Sequence, residues 1–246
     1  MLPILYRDEY LVAIHKPAGL LVHRSMLDRH ETRFAVQLLR DQIGQHVWPV
    51  HRLDRGTSGV LLFALDAVSL RATAAQFEEG KVAKEYRAVV RGWPDMTGEI
   101  DHPLPRILDK GDRGHPDALN APQTARTRYQ CLQRCELSIP DGRYDTSRYA
   151  LVALQPETGR RHQLRRHLKH IAHPIIGDAT YGKGPHNRAI ALLSGHTRLL
   201  LACTELALRH PVSGDSLSIP CPLADDFTVS LRAMALYSDT QPVPNS

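Results

Sequence analysis

The stretch HRLDRGTSGVLLFAL, residues 51–65, joins a charged turn to an apolar run, and the rest of the chain can be read outward from it. Its second half, VLLFAL (60–65), is unbroken apolar sequence, the pattern of a strand buried on both faces. Its first half sets His51, Arg52, Asp54 and Arg55 before Gly56, Thr57, Ser58 and Gly59. That is a polar turn held on a rigid strand, a place where loops present reactive groups. A carboxylate such as Asp54 is ionised at neutral pH and needs no base to become a nucleophile. It needs an electrophile delivered close and water kept away. An aspartate that merely caps a turn, or pairs with Arg52 or Arg55, has the same local sequence.

Toward the N-terminus, YLVAI (10–14) predicts a strand stopped by Pro17 and Gly19, with LLVH (20–23) resuming after them. Residues 32–43 place Phe34, Leu38, Leu39 and Ile43 at helical spacing behind Thr32, which reads as the N-cap. Toward the C-terminus, 67–79 predicts a helix, and YRAVVRG (86–92), RYALVALQ (148–155) and LLLACTELAL (199–208) predict strands. A last helix is expected near 223–236. Between Asp101 and Ala125 the pattern breaks down among Pro103, Pro105, Gly111, Gly114, Pro116 and Pro122. That stretch reads as a tolerated insertion or as a functional loop. Strands and helices alternate without a βαβ rhythm, so the expected class is α+β: a mixed, largely antiparallel sheet with flanking helices. Residues 1–237 form one domain in this reading, and 238–246 a loose polar tail.

A chain of 246 residues buries about 70–75% of its unfolded surface and folds without staples. No apolar run approaches the ~20 residues of a membrane helix, and no basic-then-apolar leader opens the sequence. Cys131, Cys135, Cys203 and Cys221 form no CxxC pair, so reduced thiols in a cytoplasmic monomer are expected. The formal charge of +5 leans toward an anionic partner.

The second unusual string is ETGRRHQLRRHLKHIAH (157–173). Thr158 and Gly159 read as a helix start, with Leu164, Leu168 and Ile171 forming an apolar stripe. Arg160, Arg161, Arg165, Arg166 and Lys169 accompany four histidines, and no acidic residue lies between 158 and 173. Such a helix suits a phosphate backbone; a solvated basic face is the plainer alternative. His162, His167, His170 and His173 can be drawn as a metal site. The HExxH pattern and any cysteine partner are absent, and neighbouring arginines repel a cation, so no metal is expected. Tyr86, at the edge of an apolar strand, is either a boundary tyrosine or a stacking platform for a base. HPIIGDATYG (173–182) reads as a structural turn. There is no P-loop, GxGxxG or GxSxG motif, and no cofactor is called for. Two other functions fit the same residues: an RNA-cleaving enzyme with His51 as base oriented by Asp54, and an RNA-binding module without catalysis.

HKPAGLLVH (15–23), HRLDRGTSG (51–59), KEYRAVVRG (84–92), GRRHQLRRHL (159–168) and HPIIGDATYG resemble, in this order, the motifs of the RluA-type pseudouridine synthases. The resemblance runs from about residue 4 to 220. It implies the pseudouridine synthase catalytic fold and cofactor-free isomerisation of uridine in RNA. The flanks of the first two motifs resemble tRNA-directed members, which implies tRNA as partner and uridine 65 as target, with rRNA the alternative. By the same resemblance Asp54 is the nucleophile and Arg165 its salt-bridge partner. Tyr86 lies against the target ring and relays a proton, Leu164 packs beside it, and Arg52 meets the surroundings of the displaced nucleotide. Arg55, Arg160, Arg161, Arg166 and Lys169 are expected along the RNA. One departure is Ala202, where relatives carry histidine; a change of packing rather than chemistry is expected there.

Overall fold

The computed structural model describes residues 1–23, 31–107 and 121–237. The expected tail, 238–246, and the centre of the proline-rich stretch, 108–120, lie outside the described residues. The apolar run becomes β4 (Ser58–Ala64), in which every side chain is buried. It sits inside a mixed sheet with β2 (Leu11–Lys16) antiparallel on one side and β11 (Leu201–Arg209) parallel on the other. The path continues through β5 (Ala83–Arg91), β10 (Ser147–Pro156), β9 (Arg126–Leu137) and β6 (Thr97–Asp101), with β1 (Ile4–Arg7) at the opposite edge. Every other pairing is antiparallel, including β3 (Trp48–Pro49) on β4 and β12 (Ser216–Pro220) on β11. The mixed, largely antiparallel α+β expectation therefore holds.

Alternation along the central strands sorts side chains onto two faces. Ala150, Val152 and Leu154 pack with Ala88 and Val90 against α3 (Gln163–His170). Tyr149, Leu151 and Val89 face the other way, toward α4 (Gly184–Ser194) and α5 (Asp225–Ala233). Ala202 belongs to this second cluster beside Val89 and Phe227. A third cluster joins β2 and β4 to α1 (Ala35–Ile43) and α2 (Ala67–Glu78).

Two helix starts differ from the expected ones. α1 begins at Ala35, behind Phe34 rather than Thr32, without a side-chain cap. The amides of Ala35 and Val36 donate instead to the carbonyls of Leu21 and Val22, at 2.8 and 3.1 Å, so tertiary contact replaces the local cap. In the basic segment the helix starts at Gln163, not at Thr158. His162 holds a left-handed conformation at φ 56°, which ends any helix running in from its N-terminal side. Gln163 is buried and turns back. Its Oε1 accepts from the Arg160 amide at 2.9 Å and the Thr158 hydroxyl at 2.7 Å, and its Nε2 donates to the Arg126 carbonyl at 2.9 Å. Residues 158–162 are thus a clamped turn that leads into the helix.

The described ends of the proline-rich stretch form a small two-stranded ribbon, β7 (Leu104–Pro105) with β8 (Pro122–Gln123), separate from the main sheet. Sequence periodicity did not mark β6, β9, β12 or α4. β9 reads RTRYQCLQRCEL, with polar residues at most positions and one largely wet face, so its apolar signal is weak.

Candidate active site

β4 and β11 meet through only two registered pairs, Ala202 with Ser58 and Cys203 with Gly59. Gly59 makes the approach achievable. At φ 111° a Cβ there would lie 2.0 Å from the Cys203 carbonyl oxygen. Ahead of this seam the chain turns at Asp54–Thr57, closed by the Thr57 amide donating to the Asp54 carbonyl at 3.0 Å. The turn is braced from below by Lys16 of the first motif. This lysine is fully buried, and its ammonium donates to the carbonyls of Pro17, Leu20 and Arg55 at 2.9, 2.8 and 3.2 Å. Burial brings its pKa down to about 7, with the Asp54 carboxylate pulling the other way.

Arg165, on the first turns of α3, reaches across to this loop. Its Nη1 donates to Asp54 Oδ2 at 3.1 Å. Its other edge forms a fork on Asp178, with Nε to Oδ2 at 2.7 Å and Nη2 to Oδ1 at 2.9 Å. The Asp178 side chain is fully buried, and the amides of Thr180 and Tyr181 also donate to it. Burial works against the Asp178 charge, but Arg165 and these amides more than offset it, and its pKa is lowered. Burial likewise works against the Arg165 cation, and Asp178 and Asp54 outweigh it. One guanidinium therefore serves two carboxylates, one sealed and one open. Hydrogen bonds to a charged group are worth about 1–3 kcal/mol, so the sealed half holds the geometry of the open half.

Two cavities, of about 650 and 760 Å³, meet at Asp54 and share Arg52, Leu53, Arg161, His162 and Arg165 as walls. The larger adds Tyr86, Phe77, Leu164 and Leu201, an apolar part of its wall beside the charged residues. Tyr86 stands opposite Cys203 in the β5–β11 register. Burial, Cys203 and Asp54 all raise its pKa, so the phenol stays neutral at physiological pH. The smaller cavity adds Arg55, Asp178 and Arg198.

Most of the expected site residues converge here, and the others divide among different surroundings. Arg55 is at the rim, paired with Glu31 at 2.5 Å and bonded to the Gly19 carbonyl at 3.2 Å. Arg166 and Lys169 line neither of the two cavities: Arg166 donates to the Pro105 carbonyl, and the Lys169 ammonium lies 5.8 Å from the Tyr181 ring centroid. The four histidines have separate partners. His162 Nε2 is 3.8 Å from Asp54 and its Nδ1 bonds the Tyr181 hydroxyl at 3.0 Å. His167 is buried against Thr127, His170 stacks on His102, and His173 bonds the Arg91 carbonyl. His51 corrects one alternative. Its Nε2 accepts from the Leu62 amide at 3.0 Å, its ring stacks on Phe77, and burial takes its pKa down to about 3. It is a packing residue and no general base. Ala202 points into the apolar cluster on the opposite face, consistent with packing rather than chemistry.

The family profile described as RNA pseudouridylate synthase matches residues 10–170, which include Asp54, Tyr86 and Arg165. The chain belongs to this family. It is 52% identical over 219 residues to tRNA pseudouridine synthase C of Yersinia pestis, covering 89% of this chain and 85% of that protein. It is 53% identical to the protein of the same name from Haemophilus ducreyi, covering 89% of both. Among solved structures, human RNA pseudouridylate synthase domain containing 4 superposes with a TM-score of 0.70 at 27% identity, over 95% of this chain and 93% of that one. Like this synthase fold as a whole, the sequence motifs were legible. Asp178 was not: HPIIGDATYG reads as a plain turn, and nothing local reveals that its aspartate meets an arginine thirteen positions earlier. The only signal was an acidic residue directly after a glycine in a segment otherwise rich in bases.

Proposed function

We propose that this pseudouridine synthase acts on tRNA, with Asp54 as nucleophile, Arg165 as its positioning cation and Tyr86 against the target ring. The observation that carries the reading is the Asp54–Arg165 contact in the wall of a cleft that Tyr86 and Leu164 also line. Isomerising uridine breaks the bond from ring N1 to the ribose carbon and forms one from ring C5 to that same carbon. The C5 proton leaves to solvent and N1 gains a proton, with no redox change and no hydrolysis. The chemistry needs a permanently charged nucleophile, a dry pocket and a fixed geometry. The doubly anchored Arg165 fixes the direction of the Asp54 carboxylate. A neutral phenol beside it serves as a proton relay, its oxygen taking a proton only as its own hydroxyl proton passes on, and not as a phenolate base.

Inside a stem the uridine must leave the stack, at a cost of a few kcal/mol. Arg52, Arg55, Arg160, Arg161, Arg166 and Lys169 surround the cleft or its approach and supply the compensating phosphate contacts, while Leu164 packs the ring. The relatives named tRNA pseudouridine synthase C support tRNA as substrate, with uridine 65 as the position to test. Among the described residues no helix is long and apolar enough to cross a membrane, and the four cysteines are free thiols; a monomer acting in the cytoplasm is part of this proposal.

The test uses unmodified tRNA transcript tritiated at uridine C5, purified protein and no added cofactor. Tritium release from position 65 is expected, and Asp54→Ala lowers it by more than about 10⁴-fold while RNA binding persists. Release from an rRNA transcript in its place overturns the tRNA assignment; undiminished release from the Asp54 variant overturns the nucleophile.

A further inference from the structure

Arg165 shares the nucleophile with a second side chain of the basic segment. His162 Nε2 lies 3.8 Å from Asp54 Oδ2, the oxygen that accepts from Arg165. At that separation the two are not hydrogen-bonded. The imidazole lines both cavities that meet at Asp54 and stays partly open to them. Its other edge is fixed. Nδ1 is 3.0 Å from the Tyr181 hydroxyl, and the two rings meet edge to face. Among the described residues that hydroxyl has no other hydrogen-bond partner. Tyr181 is itself held twice: its amide donates to Asp178 Oδ1 at 3.0 Å, and the Arg165 guanidinium lies 5.1 Å from its ring centroid. One tyrosine thus steadies both groups that face Asp54.

Charge selects the tautomer. His162 is neutral at pH 7, because burial and the cations Arg165 and Arg161 lower its pKa against the pull of Asp54 and Asp178. A neutral imidazole has one N–H. With the proton on Nε2, a donor faces the Asp54 carboxylate and the Tyr181 hydroxyl donates to Nδ1. The opposite tautomer sets a lone pair against that carboxylate and is disfavoured. The backbone gives an independent sign. His162 holds φ 56°, where a Cβ is disfavoured and glycine is at ease. Strain of that kind collects at ligand-binding and reactive sites.

The reaction limits what this donor can meet. The bond that breaks and the bond that forms both end on one ribose carbon, and Asp54 acts beside it. The 2′-hydroxyl is on the next carbon, within reach of a donor set against the carboxylate. We propose that His162, held in its Nε2–H form by Tyr181, donates to the 2′-hydroxyl of the target uridine and makes the site selective for ribose. This rests on the synthase reading for where the nucleotide lies, and adds to it a residue that tells RNA from DNA.

The experiment compares two ligated tRNAs tritiated at C5 of the target uridine, one ordinary and one with a single 2′-deoxyuridine there. Tritium release gives kcat/KM for wild type, His162→Gly and Tyr181→Phe. Glycine suits φ 56°, so His162→Gly removes the donor and keeps the backbone. On ordinary tRNA, kcat/KM is expected to fall about 10- to 100-fold in His162→Gly. The penalty for the missing hydroxyl, large in wild type, shrinks about 10-fold in that variant, because both changes remove one contact. Tyr181→Phe keeps the imidazole but frees it; it loses about 3- to 10-fold on ordinary tRNA and has a smaller deoxy penalty than wild type. A deoxy penalty undiminished in His162→Gly overturns the assignment, and His162 then meets some other group. A Tyr181→Phe protein as selective as wild type overturns the tyrosine's part.

Equilibrium binding of both tRNAs is measured alongside, with Asp54→Asn added to each protein so that nothing turns over. Protein with His162 is expected to prefer ordinary tRNA by about 3-fold or more, and protein with His162→Gly to show no preference. Where the deoxy tRNA reacts too slowly to follow, this comparison decides, and equal preference in the two proteins overturns the assignment. It also judges His162 if wild type releases no tritium from ordinary tRNA, the result that defeats the synthase reading instead.

Discussion

The sheet contains two very different joints. Strands β9 and β10 pair from Leu137–Ser147 to Thr127–Pro156, interrupted only by a bulge at Leu151/Val152, and satisfy each other along their whole lengths. Strands β4 and β11 touch at two positions and then part, β11 going on to pair with β12. The long ladder carries none of the expected catalytic residues. The short seam has Asp54 on the turn leading into it, Tyr86 across from its Cys203, and Arg165 reaching over it. Where a sheet gives up backbone pairing, its strands splay and side chains from three elements can meet in the gap. Where pairing is continuous there is room only for packing. The molecule thus divides stability and chemistry between its two joints.

The sharpest way to break that division is to remove the fit of the seam while leaving the ladder alone. A methyl group at Gly59 would sit 2.0 Å from a backbone oxygen, with no flexible side chain to give way. Gly59→Ala is expected to cost about 4 kcal/mol in urea unfolding and to abolish turnover. Gly142, in the connection between β9 and β10, also has a positive φ of 92° but nothing within 4 Å of a Cβ. Gly142→Ala is expected to cost about 1 kcal/mol, the conformational strain alone, with turnover intact. Equal costs at the two positions would falsify the idea that close approach at the seam is what shapes the cleft.

A smaller effect sharpens the comparison from the chemical side. Lysine at position 165 keeps the charge but has no planar fork, so it cannot hold Asp178 through two bonds and still reach Asp54. Arg165→Lys is expected to lower kcat about 100-fold while KM for tRNA shifts less than about 3-fold. If KM carries the loss, Arg165 is a phosphate contact rather than the residue that aims the nucleophile.

The two joints were unequally legible in the sequence. The apolar run of β4 and the glycine-flanked turn before it announce themselves, because a buried strand needs continuous apolar residues and a close approach needs glycine. The order of the motifs identified the family and singled out Asp54, Tyr86, Arg165 and Leu164 as the expected site residues. What local pattern could not supply was any feature set by distant chain. Thr32 looked like a cap, yet the first amides of α1 are satisfied by Leu21 and Val22. Thr158 looked like a helix start, yet Gln163 folds back to clamp that turn. Asp178 looked like an ordinary turn residue because its partner is met only after folding. Lys16 drew no reading from its neighbours, and it is sealed under the Asp54 turn by three carbonyls.

Asp178 also offers the finest test of how the seam is held, through pH. Its folded pKa is lowered: burial raises it, and Arg165 with the Thr180 and Tyr181 amides lowers it further than that. A depressed carboxylate stabilises the fold fully above its unfolded value, about 3.9, and loses that contribution as pH falls through the folded value. Asp178→Asn cannot titrate, so it lacks this contribution at every pH. At pH 7 the variant is expected to be less stable than wild type by about 1–3 kcal/mol, the worth of hydrogen bonds to a charged group. That gap should shrink steadily as pH is lowered below about 3.9, read as converging urea midpoints. Activity at pH 7 should drop along with it, because Arg165 loses the anchor that keeps it facing Asp54. A gap that stays constant with pH would mean that shape, not charge, is what Asp178 contributes. The cleft would then be held as the ladder is, by packing alone.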